Sequence, residues 1–329
     1  MINERFPFIC ILILNWNGAK ITERCVFSVL NVTDYPKDKF KISVIDNGSD
    51  DESVSYLKNI FSDQIEIIAL DKNYYFILGN NKGIISVLKR YNPEYILLLN
   101  NDTEIFQEKW LKELVKTAEE NSKVGIVGPR LIFPNGRVQW SGRKKESNIL
   151  PLIFQTISAG FNPGVGKEGL EAKCSQFVGE VNTISGACML IKSELFDKLG
   201  LLDERLFPMF QEDVEYCFRA DKAGYDIFYR GDIDIIHLES YSINQTGKYL
   251  RKKKAYWALR NSMIVSRLYF GLWNVTFCGI PIFIAATLLD KKDKTNGLRI
   301  GNIKIRDDAF NNIGMLLKAI RLVYFRKLS

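Results

Sequence analysis

Short apolar runs alternate with stretches of helical periodicity in the first 121 residues, and this alternation constrains the fold more than any other feature of the chain. The apolar runs lie at 8–15, 41–46, 65–70 and 95–99, and the helical patterns at 18–30, 52–61, 80–91 and 107–121. Continuous β-branched runs such as FICILILN are typical of parallel strands buried on both faces. Strands that alternate with helices predict an α/β fold with a mostly parallel sheet and right-handed crossovers.

The pattern changes from about residue 124. Pro134-Asn135-Gly136 lies between two β-rich runs and predicts a hairpin. A Gly/Pro-rich section at 160–169 predicts a loop. Further strands are predicted around 183–192 and 233–238, with a helix near 193–199 between them.

Charge is unevenly distributed along the chain. The net charge is +7, but residues up to 245 carry 28 Lys and Arg against 34 Asp and Glu, whereas the rest carries 17 against 4. The basic character therefore belongs to the C-terminal part. This distribution argues against a nucleic-acid-binding fold and favours a tail that lies on an anionic membrane surface.

The six cysteines include no C-x-x-C pair, and several lie inside apolar runs. A reduced thiol packs there as a small apolar group, which favours a reducing, cytosolic setting. The first apolar run has strand length and no small-residue cleavage site, so we expect a buried strand rather than a signal peptide.

Polar clusters follow three of the predicted strands directly. They are Asn15-Trp16-Asn17, Asp46-Asn47-Gly48 and Asn100-Asn101-Asp102. In open parallel sheets, ligands bind beyond the carboxyl ends of the strands. We therefore expect the three clusters to converge on one edge of the sheet, where Asp46 could accept hydrogen bonds from a ribose or nucleobase. The competing interpretation of Asn47-Gly48 is a simple turn.

Two residues suggest a cation site. Asp102 ends an apolar strand, and His237, the single histidine of the chain, ends another apolar run. Hard cations such as Mn²⁺ or Mg²⁺ are bound by carboxylates, an imidazole and substrate phosphates. A helix cap at Asp102 and a core histidine at position 237 are the alternatives.

An acidic cluster, Glu212-Asp213-Val214-Glu215, follows the aromatic segment LFPMF. Adjacent residues on a helix point about 100° apart, so the three carboxylates cannot share one face. One can face a cleft as a general base, since burial raises its basicity, while another pairs with a basic residue. A solvated acidic helix N-terminus is the alternative.

Taken together, these segments resemble the family 2 glycosyltransferases, nucleotide-sugar enzymes with the GT-A (Rossmann-like) fold, and in particular their rhamnosyltransferase-like branch. The resemblance spans roughly residues 8 to 240. It rests on seven segments in the family's order: ILNWNG, VIDNGSDDES, NYYFILGNNKG, LLLNNDT, PRLIFPNGRVQWSG, the run from ISGACMLIK to AGYDIFY, and IIHLESYS.

The resemblance implies specific roles. The implied donor-nucleotide contacts are Asn15, Asn17, Asp46, Asn81 and Asn101. Asp102 and His237 would hold the Mn²⁺ or Mg²⁺ that bridges the donor diphosphate. Asp213, in the pair with Glu212, would be the base that deprotonates the acceptor hydroxyl, with inversion at the anomeric carbon.

The sequence departs from the family pattern at two places. Asn100 occupies the position of the first acid in the family's DxD motif, which leaves one carboxylate there. Tyr74-Tyr75-Phe76 stands where the family has an early glycine and small residues.

The C-terminal part, residues 246–329, contains an uncharged stretch of 22 residues, Leu268 to Leu289. Gly279-Ile280-Pro281 interrupts it, and basic residues flank both sides, which favours a re-entrant or interfacial hairpin over one span. Phe310, Ile313, Leu317, Ile320 and Tyr324 repeat at helical spacing, as in an interface-lying helix. Core helices packed on a catalytic domain at 1–245 are the alternative.

The sequence thus predicts an inverting, metal-dependent glycosyltransferase at the cytoplasmic face of the cell membrane. It would transfer a sugar, rhamnose by resemblance, from a nucleotide-diphosphate donor to a lipid-linked or polysaccharide acceptor. One alternative is a sugar-phosphate nucleotidyltransferase, although Asn-Trp-Asn-Gly replaces its usual glycine-rich basic loop. The other is a non-enzymatic, membrane-bound sugar-binding scaffold.

Overall fold

The computed structural model describes residues 5–139, 141–144, 176–238 and 247–274, with short pieces between 276 and 321. The chain divides into two compact units. The first comprises Met1–Lys145 and Gly169–Gln245, and the second Glu146–Glu168 and Thr246–Ser329. The predicted division at residue 245 stays a prediction.

The first unit is built of strands and helices in alternation. Its strands are β1 (Ile9–Asn15), β2 (Phe40–Asp46), β3 (Ile65–Ala69), β4 (Tyr95–Asn100), β5 (Thr103–Glu104), β6 (Val124–Ile132), β7 (Gly142–Lys144), β8 (Val178–Ile184), β9 (Cys188–Lys192) and β10 (Asp226–His237). Its helices are α1 (Ala19–Val32), α2 (Ser53–Phe61), α3 (Tyr75–Tyr91), α4 (Trp110–Glu120), α5 (Glu194–Leu199) and α6 (Glu212–Lys222), with short 3₁₀ turns at Lys37–Lys39, Ser62–Gln64 and Glu204–Leu206.

One central sheet contains all ten strands, in the order β3-β2-β1-β4-β9-β6-β10-β8-β7, with β5 paired to β10. The first four strands are parallel, as predicted from their apolar runs. β9 runs antiparallel between β4 and β6, and β10 runs parallel to β6. The fold is therefore the predicted α/β class, with an antiparallel strand inserted at the middle of the sheet.

Helix α3 begins at Tyr75, five residues before the predicted start at 80. Two asparagine side chains hold its first backbone amides: Tyr74 N–H donates to Asn47 Oδ1 (2.9 Å), and Tyr75 N–H donates to Asn73 Oδ1 (2.7 Å). Side-chain acceptors at a helix start satisfy amides that lack an intrahelical partner. The aromatic run obscured this start because aromatic residues favour strands.

The predicted strand at 183–192 is two strands, β8 and β9, separated by residues 185–187. The segment at 233–238 is the end of the longer strand β10. The predicted hairpin turn is present: Phe133 N–H donates to Arg137 C=O (2.7 Å), and Gly136 N–H to Phe133 C=O (2.8 Å).

The core lies between the sheet and the helices α1, α2 and α4. Trp110 is buried there, and its indole N–H donates to Thr33 Oγ1 (3.0 Å). On the other face, α3 approaches the sheet closely at Gly83, where a Cβ would lie 2.8 Å from Ile45 Cγ1. Each fully buried aliphatic side chain contributes about 1.5–3 kcal/mol, so this core fixes the strand ends that form the site.

In the second unit, α7 (Gly247–Asn274) is interrupted at Gly271 (φ 80°), and β11 (Arg299–Ile300) pairs antiparallel with β12 (Ile303–Lys304). Near the end of α7, Trp273 and Phe277 are exposed and stack with ring centroids 5.0 Å apart. No helix in the described part of the chain is long and apolar enough to cross a membrane. Most of the predicted segments at 268–289 and 310–324 lies outside the described residues.

Candidate active site

The carboxyl ends of β1, β2 and β4 form one rim of the sheet. Asn15 lies opposite Asp46 in the β1–β2 pair, and Leu14 lies opposite Asn100 in the β1–β4 pair. The polar residues that follow these strands are therefore neighbours, as the sequence predicts. Two polar clusters occupy this rim.

The first, the asparagine–aspartate cluster, consists of Asn15, Thr22, Asp46, Ser49 and Asn101. Asp46 accepts from Asn15 Nδ2 (2.8 Å), Ser49 N–H (3.0 Å) and Ser49 Oγ (2.7 Å). Thr22 Oγ1 donates to Asn15 Oδ1 (2.8 Å) and accepts from Asn101 Nδ2 (3.0 Å). Asn15 and Asp46 are buried. The cluster therefore satisfies its own polar groups and holds the ends of the strands in place.

Asn17 lies at the outer side of this cluster. Its backbone N–H donates to Ser49 Oγ (2.9 Å), and its side chain exchanges hydrogen bonds with Asp50. Its φ of 48° is in the left-handed region. Asn17 is partly exposed at the rim, so it is accessible to a ligand there.

Asn81 has a different position. Its Nδ2 donates to Leu202 C=O (2.9 Å), and its Oδ1 accepts from Leu202 N–H (3.0 Å). Both amide atoms of this buried side chain thus join α3 to the segment before α6. The structure does not bring Asn81 into either rim cluster, and its role in donor binding stays a prediction.

The second, the carboxylate–histidine cluster, consists of Asn100, Asp102, Glu212, Asp213 and His237. Asp102 Oδ1 lies 3.2 Å from His237 Nε2, and Asn100 Nδ2 lies 3.3 Å from the same nitrogen. The short pairing of β5 with β10 brings these distant residues together, because Thr103 lies opposite His237. The structure thus places the two predicted metal ligands side by side.

Asp102 and His237 fit a divalent cation as two ligands of an incomplete set. Adjacent ligands of an octahedral ion at about 2.1 Å lie about 3.0 Å apart, close to the separation found here. In the described part of the chain, no group of three or more His, Cys, Asp and Glu side chains is arranged to hold a metal ion. The remaining ligands would have to come from a bound molecule or water.

Glu212 and Asp213 begin helix α6. Asp213 accepts from Gly186 N–H (2.9 Å) and from its own neighbour Val214 N–H (2.8 Å). Despite these bonds, burial raises the pKa of Asp213 above its ordinary value. A carboxylate with a raised pKa is a stronger base, and the side chain is still partly exposed.

Glu212 lies deeper than Asp213. Its Oε2 finds no hydrogen-bond partner among the described residues. Burial, together with the charge of Asp213, raises the pKa of Glu212 to about 8. Both shifts disfavour the state in which the two carboxylates are ionised together.

The third acidic residue, Glu215, is paired as expected for a structural carboxylate. Arg219 Nη2 donates to Glu215 Oε2 (2.6 Å), and Arg219 Nη1 donates to Leu199 C=O (2.7 Å) and Leu201 C=O (2.9 Å). The predicted pairing of one acid of this group with a basic residue is thus present, and the role of Asp213 as a general base stays a prediction.

A chain of contacts joins Asp213 to the pair formed by Asp102 and His237. Gly186 N–H donates to Asp213, and the next residue, Ala187, accepts from Asn100 N–H (2.9 Å). Asn100 in turn contacts His237. Positions 102, 213 and 237 therefore belong to one connected site. Sequence reasoning missed Gly186 and its neighbour, which have no signature other than the turn between β8 and β9.

Strained backbone borders the site. Phe210 (φ 78°) and Gln211 (φ 70°) are consecutive non-glycine residues in the left-handed region directly before Glu212. Tyr75 (φ 57°) is a third, and its ring packs edge-to-face on Phe207 with centroids 5.3 Å apart. Such conformations cost about 1–3 kcal/mol each and concentrate at functional sites.

Comparisons with known proteins identify the family of the chain. The family model described as "Glycosyl transferase family 2" matches residues 10–200. The low-salt glycan biosynthesis hexosyltransferase Agl10 of Haloferax volcanii is 29% identical over 229 residues, which cover 69% of this chain and 67% of Agl10. An N-acetylglucosaminyl-diphospho-decaprenol L-rhamnosyltransferase of Mycobacterium tuberculosis is 27% identical over 154 residues, 45% of this chain and 48% of that protein.

The O-antigen biosynthesis protein RfbC of Myxococcus xanthus is 27% identical over 72% of this chain, which spans only 18% of RfbC. Among solved structures, GalNAc-T7 with UDP, GalNAc and Mn²⁺ is similar with a TM-score of 0.59 at 16% identity, over 84% of this chain and 50% of that one. This similarity shows the GT-A fold. Since the family model covers more than half of the sequence, the chain belongs to glycosyl transferase family 2.

Proposed function

We propose that this chain is an inverting, divalent-metal-dependent glycosyltransferase that moves a sugar from a nucleotide-diphosphate donor to a hydroxyl group. The proposal rests on the connected site, in which Asp102 and His237 lie 3.2 Å apart. Asp213 is linked to this pair by the chain of contacts through Gly186, Ala187 and Asn100. The Mn²⁺ ions named with GalNAc-T7 and with the mannosyltransferase PcManGT of Pyrobaculum calidifontis support the metal.

Asp102 and His237 would hold the cation, which supplies charge stabilisation to the diphosphate as it departs. Asp213 accepts the proton of the acceptor hydroxyl. The hydroxyl oxygen forms a bond to the anomeric carbon while the bond from that carbon to the diphosphate oxygen breaks. Attack from the face opposite the leaving group inverts the anomeric centre.

The asparagine–aspartate cluster supports the donor side of this proposal. Its own hydrogen bonds fix the ends of β1 and β2, and Asn17 with Asp50 forms the exposed border at which a nucleoside can lie. Because Asn15 and Asp46 are buried and satisfied, we assign them to holding this border. Rhamnose is the sugar we propose first, since the Mycobacterium relative is named a rhamnosyltransferase.

We also propose a lipid-linked or polysaccharide acceptor at the cytoplasmic face of a membrane. The Mycobacterium relative's name includes a diphospho-decaprenol acceptor. The excess of Lys and Arg after residue 245 suits an anionic lipid surface, and Trp273 and Phe277 expose a stacked aromatic pair. Co-sedimentation of the full chain with vesicles tests this: we expect binding to anionic vesicles that falls with salt, and equal binding to neutral vesicles would contradict it.

A donor-hydrolysis screen tests the enzymatic proposal. The purified chain is incubated with a panel of UDP-, GDP- and dTDP-sugars in the presence of Mn²⁺, Mg²⁺ or EDTA. We expect slow release of the nucleoside diphosphate from one donor class, abolished by EDTA and restored by added Mn²⁺. Turnover that is unchanged in EDTA would contradict the metal, and the absence of both hydrolysis and metal-dependent thermal stabilisation would favour a non-enzymatic scaffold.

A further inference from the structure

Gln139, in the segment after the predicted hairpin turn, makes two contacts with the single histidine of the chain. Its Oε1 lies 2.9 Å from His237 Nδ1, and its Nε2 donates to the backbone carbonyl of His237. Gln139 is 6% exposed and His237 is 8% exposed, so water does not replace these partners. The glutamine thus holds both the ring and the backbone of one residue.

The second contact fixes which way the amide of Gln139 points. A backbone carbonyl only accepts hydrogen bonds, so the atom of Gln139 that faces it is the NH₂ group. The carbonyl oxygen Oε1 is therefore the atom that faces His237 Nδ1. Because Oε1 only accepts, Nδ1 carries the hydrogen.

We propose that Gln139 is a positioning residue that holds His237 as the Nδ1–H tautomer and turns the lone pair of Nε2 toward Asp102. This inference rests on the proposed metal role of His237. Asn100 Nδ2, 3.3 Å from Nε2, is placed as a donor to that lone pair. A ligating histidine whose other nitrogen donates to an oxygen is oriented for metal binding, and such partners affect metal affinity about 10–100-fold.

This orientation leaves two acceptors, Asp102 Oδ1 and His237 Nε2, at 3.2 Å from each other. A divalent cation that binds both atoms relieves this repulsion. The competing state is the Nε2–H tautomer, which would donate to Asp102 but leave two acceptors, His237 Nδ1 and Gln139 Oε1, facing each other at 2.9 Å. The two states differ in which ring nitrogen carries the hydrogen.

The backbone around Gln139 is itself held in place. Its N–H donates to Leu131 C=O (2.8 Å), and its C=O accepts from Ser141 Oγ (3.0 Å). Ser141 Oγ also accepts from Leu131 N–H (2.8 Å). The end of β6 and the segment that returns beside it therefore act as a rigid support behind the imidazole.

The tautomer of His237 can be measured by NMR. The chain contains one histidine, so a protein without a histidine tag gives the imidazole signals of His237 alone. We propose ¹⁵N NMR of the full chain in EDTA at pH 7.5, in wild type and Gln139→Leu. We expect the hydrogen on Nδ1 in wild type and mixed tautomers in Gln139→Leu. An imidazolium or an Nε2–H tautomer in wild type would overturn the inference without any variant.

A metal-binding experiment distinguishes a failure of this inference from a failure of the proposed function. Mn²⁺ is titrated with UDP, GDP or dTDP by calorimetry, and we expect Gln139→Leu to bind Mn²⁺ about 10–100-fold more weakly than wild type. Gln107→Leu is the matched control, since Gln107 accepts from Asp234 N–H (2.9 Å) and does not contact His237 in the described structure. Equal Mn²⁺ affinity in wild type and Gln139→Leu would overturn the positioning role. No Mn²⁺ binding by wild type would overturn the metal proposal, while the NMR result would still decide the tautomer.

Discussion

The two polar clusters at the rim differ in how completely their hydrogen-bonding groups are satisfied. In the asparagine–aspartate cluster, Asp46 accepts three hydrogen bonds, and both amide atoms of Asn15 are used. In the carboxylate–histidine cluster, the buried Glu212 Oε2 has no hydrogen-bond partner among the described residues. Both clusters lie at the same sheet edge, and both contain asparagine and aspartate side chains.

This difference indicates that the asparagine–aspartate cluster supports the fold and that the carboxylate–histidine cluster is the one that a ligand would complete. A satisfied buried network contributes to stability, and its loss leaves several donors without acceptors. A network with an unpaired buried polar group costs free energy in the ligand-free protein. This cost is removed when a ligand supplies the missing hydrogen-bond partner. Changes in the first cluster should therefore lower the stability of the fold. Changes in the second should lower binding or turnover, and neutralising its buried carboxylate Glu212 should raise stability.

The largest effect is expected for Asp213→Asn. The amide cannot accept the acceptor's proton, so sugar transfer should fall by about 10²–10⁴-fold, while the nucleoside diphosphate still binds. Transfer and calorimetric binding are measured on the same preparation. Glu215→Gln is the control in the same helix, because Glu215 pairs with Arg219 and not with the rim. Wild-type transfer by Asp213→Asn would show that the base lies elsewhere.

The next effect is on stability. Asp46→Ala removes the acceptor of three hydrogen bonds in a buried site, and we expect the free energy of unfolding to fall by about 2–4 kcal/mol. Urea denaturation measures this change. Asp50→Ala is the exposed control, with an expected loss below about 0.5 kcal/mol. If Asp46→Ala kept full stability and lost only nucleotide affinity, Asp46 would be a donor contact rather than scaffold.

Glu212 predicts a pH dependence. Its pKa rises from an ordinary 4.5 to about 8 on folding, so the folded state binds more protons than the unfolded state between these values. Stability from this residue therefore falls as pH rises from about 4.5 to 8. Glu212→Gln abolishes this dependence, so we expect it to exceed wild-type stability by on the order of 2 kcal/mol at pH 8 and to approach it at pH 5.

Urea midpoints of both proteins across pH 5–8 provide the test. A constant difference between wild type and Glu212→Gln over this range would contradict a raised pKa. The reverse slope, with wild type gaining stability toward pH 8, would indicate that Glu212 is ionised and stabilised in the fold.

The smallest effect is expected at the strained residue before α6. Gln211→Gly removes the penalty of a left-handed non-glycine residue and a buried Oε1 that has no hydrogen-bond partner among the described residues. We expect a gain of up to about 1 kcal/mol. Thermal and urea unfolding measure the gain. A loss of transfer alongside higher stability would show that the strained backbone before α6 helps to position Asp213, as expected if the carboxylate–histidine cluster gives up stability for activity.

The amino-terminal half of the sheet could be predicted from the sequence because β1, β2, β3 and β4 are apolar runs between helical patterns. The meeting of their polar ends at one rim could also be predicted, because the carboxyl ends of parallel strands lie at the same edge of a sheet. The position of β9 could not be predicted, since an antiparallel insertion depends on how a later segment pairs across the sheet. The length of α3 was missed because two asparagine side chains fix its start.

The site was predictable in part for the same reason. The resemblance named Asp102, Asp213 and His237, and the fold brings them together, although their roles stay predictions. The partner of His237 was not predictable: β10 shifts its register against β6 between Arg230 and Asp234, and this irregularity sets which face His237 occupies. Without knowledge of that register, nothing in the sequence indicates that Gln139 contacts His237.

The pairing of β5 with β10 also affects when the site exists during synthesis. A ribosome-bound chain that has emerged only as far as α6 contains Asp102 and Asp213 but lacks the strand that carries the imidazole. The pairing that brings Asp102 beside His237 can therefore form only after translation has passed residue 237.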